Sequence, residues 1–205
     1  MHKEILSKNQ FDLLPLVKKF KREFYMVEGT AIALHIGHRR SIDFDLFKYN
    51  TINPTNILNK IKEFNYSFLV TRRVTEQINL TILDVKFTFF QYPYIIDAKC
   101  KFGDSIKLPD LLYLAAMKAY ALGRRSKWKD YIDLFFIIRD FYSIDQISKR
   151  AIEIYDQMFS EKLFRSQLGY HNDINYSEQV EFLVPEISVR EIREFLIEKA
   201  IDLDL

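Results

Sequence analysis

With 205 residues, 48% hydrophobic and 15% aromatic, and with five Gly and five Pro, the chain excludes a disordered, collagen-like or linker-rich polymer and can fill one compact domain or two small ones. A lone cysteine, Cys100, excludes a disulfide framework and a zinc site built from Cys pairs, and four dispersed histidines add no metal motif. The net charge of +2 hides an asymmetry: residues 1–150 hold 25 Lys and Arg against 16 Asp and Glu, whereas 151–205 hold 5 against 12. That imbalance suggests a basic working surface for an anionic partner beside an acidic helical segment, with solvated faces as the alternative.

The first twenty residues scatter charges among apolar positions, unlike a leader, and no 18-residue apolar run occurs, so a cytoplasmic protein with no membrane partner is expected. Helical spacing of Leu13, Leu14, Leu16, Val17 and Phe20 predicts a helix over 11–24 with a lysine-rich polar face. Residues 24–27, FYMV, read as a short buried strand that stops at Glu28-Gly29-Thr30, before a helix over AIALHI that ends at Gly37. In IDFDLF, Ile42, Phe44 and Leu46 alternate with Asp43, Asp45 and Phe47, the period of a strand that points both acids one way. A helix over 55–64 follows Pro54, and YSFLVTRRV, QINLTILDV and KFTFFQYPY are strand candidates that complete a mixed sheet.

From Pro109 helices dominate: LLYLAAMKAYAL up to a C-cap at Gly123, then 130–141, 144–164 and 189–201, with a polar loop near 169–177. The order predicts an α+β protein, with a mixed-sheet α/β domain over 1–107 and a helical domain over 108–205 that share a cleft.

Two carboxylates at i and i+2 on one strand face can hold a hard cation, and Mg²⁺ favours one or two carboxylates plus substrate phosphates. Alone, Asp43 and Asp45 also fit a solvated edge, but their apolar flanks argue for an internal strand, where paired like charges are costly without a cation. The Gly29-Thr30 turn at a helix N-terminus exposes backbone N–H groups suited to phosphate. Leu111, Leu114, Ala115, Lys118 and Leu122 share a helical stripe, as do Asp130, Asp133, Leu134 and Ile137, so both helices bring charge to an apolar face. A salt bridge of Lys118 with Asp130 or Asp133 that joins the helices is the plain alternative to a phosphate-binding role.

On these residues, VEGTAIALHIGHRRSIDFDLF resembles the signature of AbiEii/AbiGii-type toxins, a branch of the DNA polymerase beta-like nucleotidyltransferase superfamily. LLYLAAMKAYALGRRSKWKDYIDLFFI is similar to that family's second block, and the likeness spans about residues 20–140. The resemblance implies Asp43 and Asp45 as Mg²⁺ ligands and Gly29 and Thr30 as a cradle for NTP phosphates. It further implies that Lys118, Arg124, Lys129 and Asp130 complete the site, with Lys129 on phosphates. The implied acceptor is RNA, a tRNA 3′ end, and the implied setting is a toxin–antitoxin or phage-defence system with a cognate antitoxin.

Two features depart from the pattern: Glu28 stands where small residues are usual, and Thr88 falls at the strand position of a third carboxylate, with Asp84, the nearest acid, either that ligand or part of a turn. Arg39, Arg40, Arg72, Arg73 and the 124–129 run suit nucleic acid, with Trp128 either stacking on a base or lying in the core. His35 and His38 read as structural, and nothing else makes Cys100 a nucleophile. A phosphatase of the haloacid-dehalogenase type wants Thr where Phe47 stands, a metal-dependent glycosyltransferase wants a longer region before Asp43, and no P-loop or Rossmann motif occurs. A silent nucleotidyltransferase-like module that binds nucleotide or a partner protein is the competing reading.

Overall fold

The computed structural model describes residues 1–122 and 124–202, so the expected C-cap at Gly123 lies outside the described residues. The chain forms two compact units, Met1–Asp110 and the residues from Leu111 onward.

The first unit opens with two short helices, α1 (Lys8–Asp12) and α2 (Leu14–Lys19), where one was expected over 11–24. Leu13 ends the first and starts the second, because Pro15 lacks an N–H and fits only the first turn of a helix. After β1 (Tyr25–Val27) the backbone passes directly into α3 (Glu28–Ile36), which Gly37 closes at φ +78, a conformation that favours glycine. β2 (Phe44–Lys48), α4 (Pro54–Lys62), β3 (Leu69–Arg73), β4 (Gln77–Ile82) and β5 (Val85–Gln91) follow. Two three-residue strands, β6 (Cys100–Phe102) and β7 (Ile106–Leu108), were not foreseen.

All seven strands join one mixed sheet in the order β3-β4-β5-β2-β1-β7-β6. β2 runs antiparallel to β1 and parallel to β5, so it lies inside the sheet, as its apolar flanks implied. Met26, Phe44, Leu46, Ile78, Leu80, Phe87 and Phe89 are at most 1% exposed and form one apolar face, which Phe20 joins by packing 4.7 Å from Phe89. Their alternating neighbours Asp45, Thr88 and Asn79 form a half-buried polar patch on the other face, beside Phe47, 8% exposed and packed on Tyr92.

The second unit is helical: α5 (Leu111–Leu122), α6 (Trp128–Asp140), α7 (Ile144–Tyr155), α8 (Glu161–Gly169) and α9 (Val189–Ile201). The single helix expected over 144–164 is two, because Asp156 turns to φ +49 at the end of α7 and Ser160 caps α8 by accepting from the Leu163 N–H. α5 packs on α6, α7 and α8, and stacked Tyr120 and Tyr155 rings 3.8 Å apart pin α5 to α7. Among the described residues no helix is long and apolar enough to cross a membrane.

Candidate active site

The first unit gathers Gly29, Thr30, Asp43 and Asp45. Val27 is the N-cap of α3 and also the register partner of Asp45, so the helix begins one strand spacing, about 5 Å, from the Asp45 backbone. Gly29 and Thr30 lie within the first helical turn instead of in a turn before it, where their N–H groups still belong to the set without intrahelical partners. The positive end of α3 and the paired carboxylates therefore meet at one edge of the polar face.

Thr30 is fully buried, and its hydroxyl donates to the Asp43 carbonyl while lying 2.8 Å from Ser41 Oγ, which can donate to it in turn. The side chain thus fixes the backbone that carries Asp43. Gly29 is small for a reason: a Cβ there would sit 2.7 Å from an Arg39 guanidinium nitrogen and 3.2 Å from Ser41 Oγ. Arg39, 2% exposed, donates to the Arg40 carbonyl at 2.9 Å and forms the wall behind that turn. Glu28 has φ +61, a left-handed backbone that is strained for any residue with a Cβ.

Thr88 is the β5 partner of Asp45, and Asn79 on β4 is the partner of Thr88, so an amide and a hydroxyl occupy that row where an acid could have stood. Asp84 lies elsewhere: Leu83 (φ +49) and Asp84 (φ +62) form the two-residue turn between β4 and β5, four residues or about 13 Å along the strand from Thr88. No group of three or more His, Cys, Asp or Glu able to hold a metal occurs among the described residues. The donor set at β2 is two carboxylates, which fits Mg²⁺ that takes its remaining ligands from phosphate and water. His35 Nε2 is 3.0 Å from the Pro109 carbonyl, and burial lowers its pKa, consistent with a structural role.

In the second unit, Lys118 and Asp130 do meet. Lys118 Nζ is 2.8 Å from Asp130 Oδ1 and 3.5 Å from Asp133 Oδ2, and all three side chains are at most 3% exposed. Arg125, which the sequence did not single out, grips Asp130 with Nε at 2.8 Å and a second nitrogen at 3.2 Å. Lys118 thus joins α5 to the buried Asp130 and Asp133 of α6, while Arg125, 38% exposed, closes over Asp130 from the surface.

Arg124 instead lies over the Tyr120 ring at 3.4 Å and donates to the Tyr120 carbonyl at 2.8 Å. Lys129 pairs with Glu178 at 3.2 Å, alongside Lys127 at 2.7 Å, and the hydrogen bond from Lys127 is the main reason the Glu178 pKa falls to about 2. Trp128 is 7% exposed and packs on Tyr131 and Tyr176, so it serves the core and is withdrawn from base stacking.

No protein-family model matches the chain. An uncharacterised protein of Aquifex aeolicus (strain VF5) is 26% identical over 191 residues, 85% of this chain and 88% of that one. Among solved structures, MenT4, a nucleotidyltransferase toxin of Mycobacterium tuberculosis H37Rv, is similar with a TM-score of 0.62 at 13% identity, covering 96% of this chain and 82% of that one. A candidate nucleotidyltransferase from Helicobacter pylori is similar with a TM-score of 0.58 at 15% identity, covering 98% and 94%. At such identities the likeness establishes the fold, an α+β nucleotidyltransferase-like fold, as the sequence led one to expect.

Proposed function

We propose that the protein is a Mg²⁺-dependent nucleotidyltransferase that moves a nucleoside monophosphate from an NTP to an acceptor hydroxyl and releases pyrophosphate. The observation that carries this reading is the pairing of Val27 with Asp45, which sets the start of α3 beside the two carboxylates. Asp43 and Asp45 would hold Mg²⁺, which when bound neutralises phosphate charge and orients the reacting phosphorus. The main-chain N–H groups of Gly29 and Thr30 bind phosphate oxygens, favoured by the helix dipole. Thr30 fixes Asp43 through its carbonyl, and Arg39 closes the turn from behind. The acceptor hydroxyl belongs to RNA, a tRNA 3′ end, and the likeness to a nucleotidyltransferase toxin supports a toxin role, with a cognate antitoxin as partner.

The test is incubation with Mg²⁺, each α-labelled NTP in turn and total tRNA, beside the double variant Asp43→Ala, Asp45→Ala. Label in RNA with the wild type alone establishes transfer and names the nucleotide. The placement of Thr88 beside Asp45 favours one other reading, a module that binds nucleotide without transferring it. NTP binding with no label in RNA, protein or small-molecule fractions would establish that reading instead.

A further inference from the structure

The seven strands carry six cations, Lys48, Arg72, Arg73, Lys86, Lys101 and Lys107, and one carboxylate, Asp45. Strand register sorts the cations by face. Lys48 and Arg73 alternate with the polar face, and both have partners: Glu23 at 3.5 Å and the Thr55 hydroxyl at 3.2 Å. The other four share the face of Asp45. Lys101 and Lys107 are direct partners across β6 and β7, and Lys107 pairs with Tyr25, the β1 partner of Phe47 two residues beyond Asp45. Arg72 pairs with Asn79, itself the partner of Thr88, and Lys86 lies two residues before Thr88 on β5. All four are exposed, and among the described residues none has a carboxylate or hydrogen-bond partner.

Like charges placed directly opposite on a sheet repel. A sheet that pairs its cations on one face and leaves four uncompensated on the other, two of them face to face, presents a surface for a polyanion. At about 4.8 Å per strand, Lys107 and Lys101 stand about 10 and 14 Å from β2 on one side. Lys86 and Arg72 stand about 5 and 14 Å from it on the other, so the row spans about 29 Å across the strands with Asp45 near its middle. A triphosphate is too short to reach both ends, whereas a single strand carries regularly spaced phosphates across such a length.

We infer that Lys101, Lys107, Lys86 and Arg72 form a phosphodiester-binding track that lays a single-stranded RNA acceptor across the polar face of the sheet, over the carboxylates. This deepens the transferase reading and rests on it for the identity of the acceptor. Each cation neutralises one phosphate, so each contributes about 0.7 to the slope of log K against log salt for a single strand.

The test is fluorescence anisotropy of a short unstructured RNA over a series of salt concentrations. The proteins are the wild type, Lys101→Gln with Lys107→Gln, Arg72→Gln with Lys86→Gln, all four together, and the opposite-face control Arg73→Gln. Mg²⁺·NTP binding is measured beside it, and circular dichroism checks folding. The expected result is a slope reduced by about 1.4 in each double variant and about 2.8 in the fourfold one, with the control and NTP binding unchanged. An unchanged slope in the folded fourfold variant, or a loss of NTP binding with RNA binding intact, would overturn the track. Transfer to a protein or small molecule without RNA binding would overturn the track and leave the transferase reading standing. RNA binding with the expected slopes but no NTP use would overturn the transferase reading alone.

Discussion

Removing the Lys118 ammonium by Lys118→Met tests what the buried cluster of the second unit does. The Lys118, Asp130 and Asp133 side chains are at most 3% exposed, and Arg125, 38% exposed, shares Asp130 with Lys118. Breaking a buried ion pair from one side costs roughly 3–5 kcal/mol, because the remaining charge stays desolvated. Here Arg125 still holds Asp130 through two nitrogens, at 2.8 and 3.2 Å, so the lower end, about 3 kcal/mol, is expected. Urea unfolding followed by circular dichroism at neutral pH measures it. Adding Asp133→Asn to Lys118→Met restores neutrality and should recover most of the loss. The single variant should also lose less as pH falls, since a carboxylate without its cation has a raised folded-state pKa and protonates early. A cost below about 1 kcal/mol, or no recovery in the double variant, would refute the reasoning.

Other outcomes follow from the same geometry. Thr30→Val removes the donor to the Asp43 carbonyl and should cost about 1–3 kcal/mol in urea unfolding and lower the transfer rate, whereas Thr30→Ser should keep most of both. Glu28→Gly releases a left-handed backbone strained by about 1–2 kcal/mol and removes a carboxylate from the start of α3. It should raise NTP affinity in a direct binding titration, as should Glu28→Gln. The folded-state pKa of Glu178, lowered to about 2 from 4.5, makes its link to Lys127 and Lys129 a contribution fully present above about pH 4.5 and lost as pH falls through about 2. The melting temperature of E178Q should therefore approach that of the wild type over this window, and an unchanged gap would contradict the pairing.

The acidic strand was legible because alternation is local: Phe44 and Leu46 bury one face, and Asp43 and Asp45 follow on the other. The charged stripes of α5 and α6 were legible for the same reason, since helical period alone places Lys118, Asp130 and Asp133 on apolar faces. What escaped depends on distant partners or on single backbone angles. β6 and β7 have three residues each, too few for a period, and exist through pairing with each other and with β1. The break at Asp156 is one left-handed residue within an otherwise helical pattern. Arg125 and Arg124 are neighbours in a basic run, and only the turn after α5 sends one to Asp130 and the other over Tyr120. The burial of Trp128 depends on Tyr176, 48 positions away in the chain.

The most direct measurement of the proposed centre is metal-dependent transfer by Asp45→Cys. A thiolate binds Mg²⁺ poorly and softer cations well, so a ligand to the ion should lose activity in Mg²⁺ and regain it in Mn²⁺ or Cd²⁺. Thr88→Cys, one strand away on the same face, serves as the control that should show no such switch. Loss in Mg²⁺ with recovery in the softer ion, confined to Asp45→Cys, is the expected result. Full Mg²⁺-dependent transfer by Asp45→Cys would contradict the assignment of Asp45 as the metal ligand.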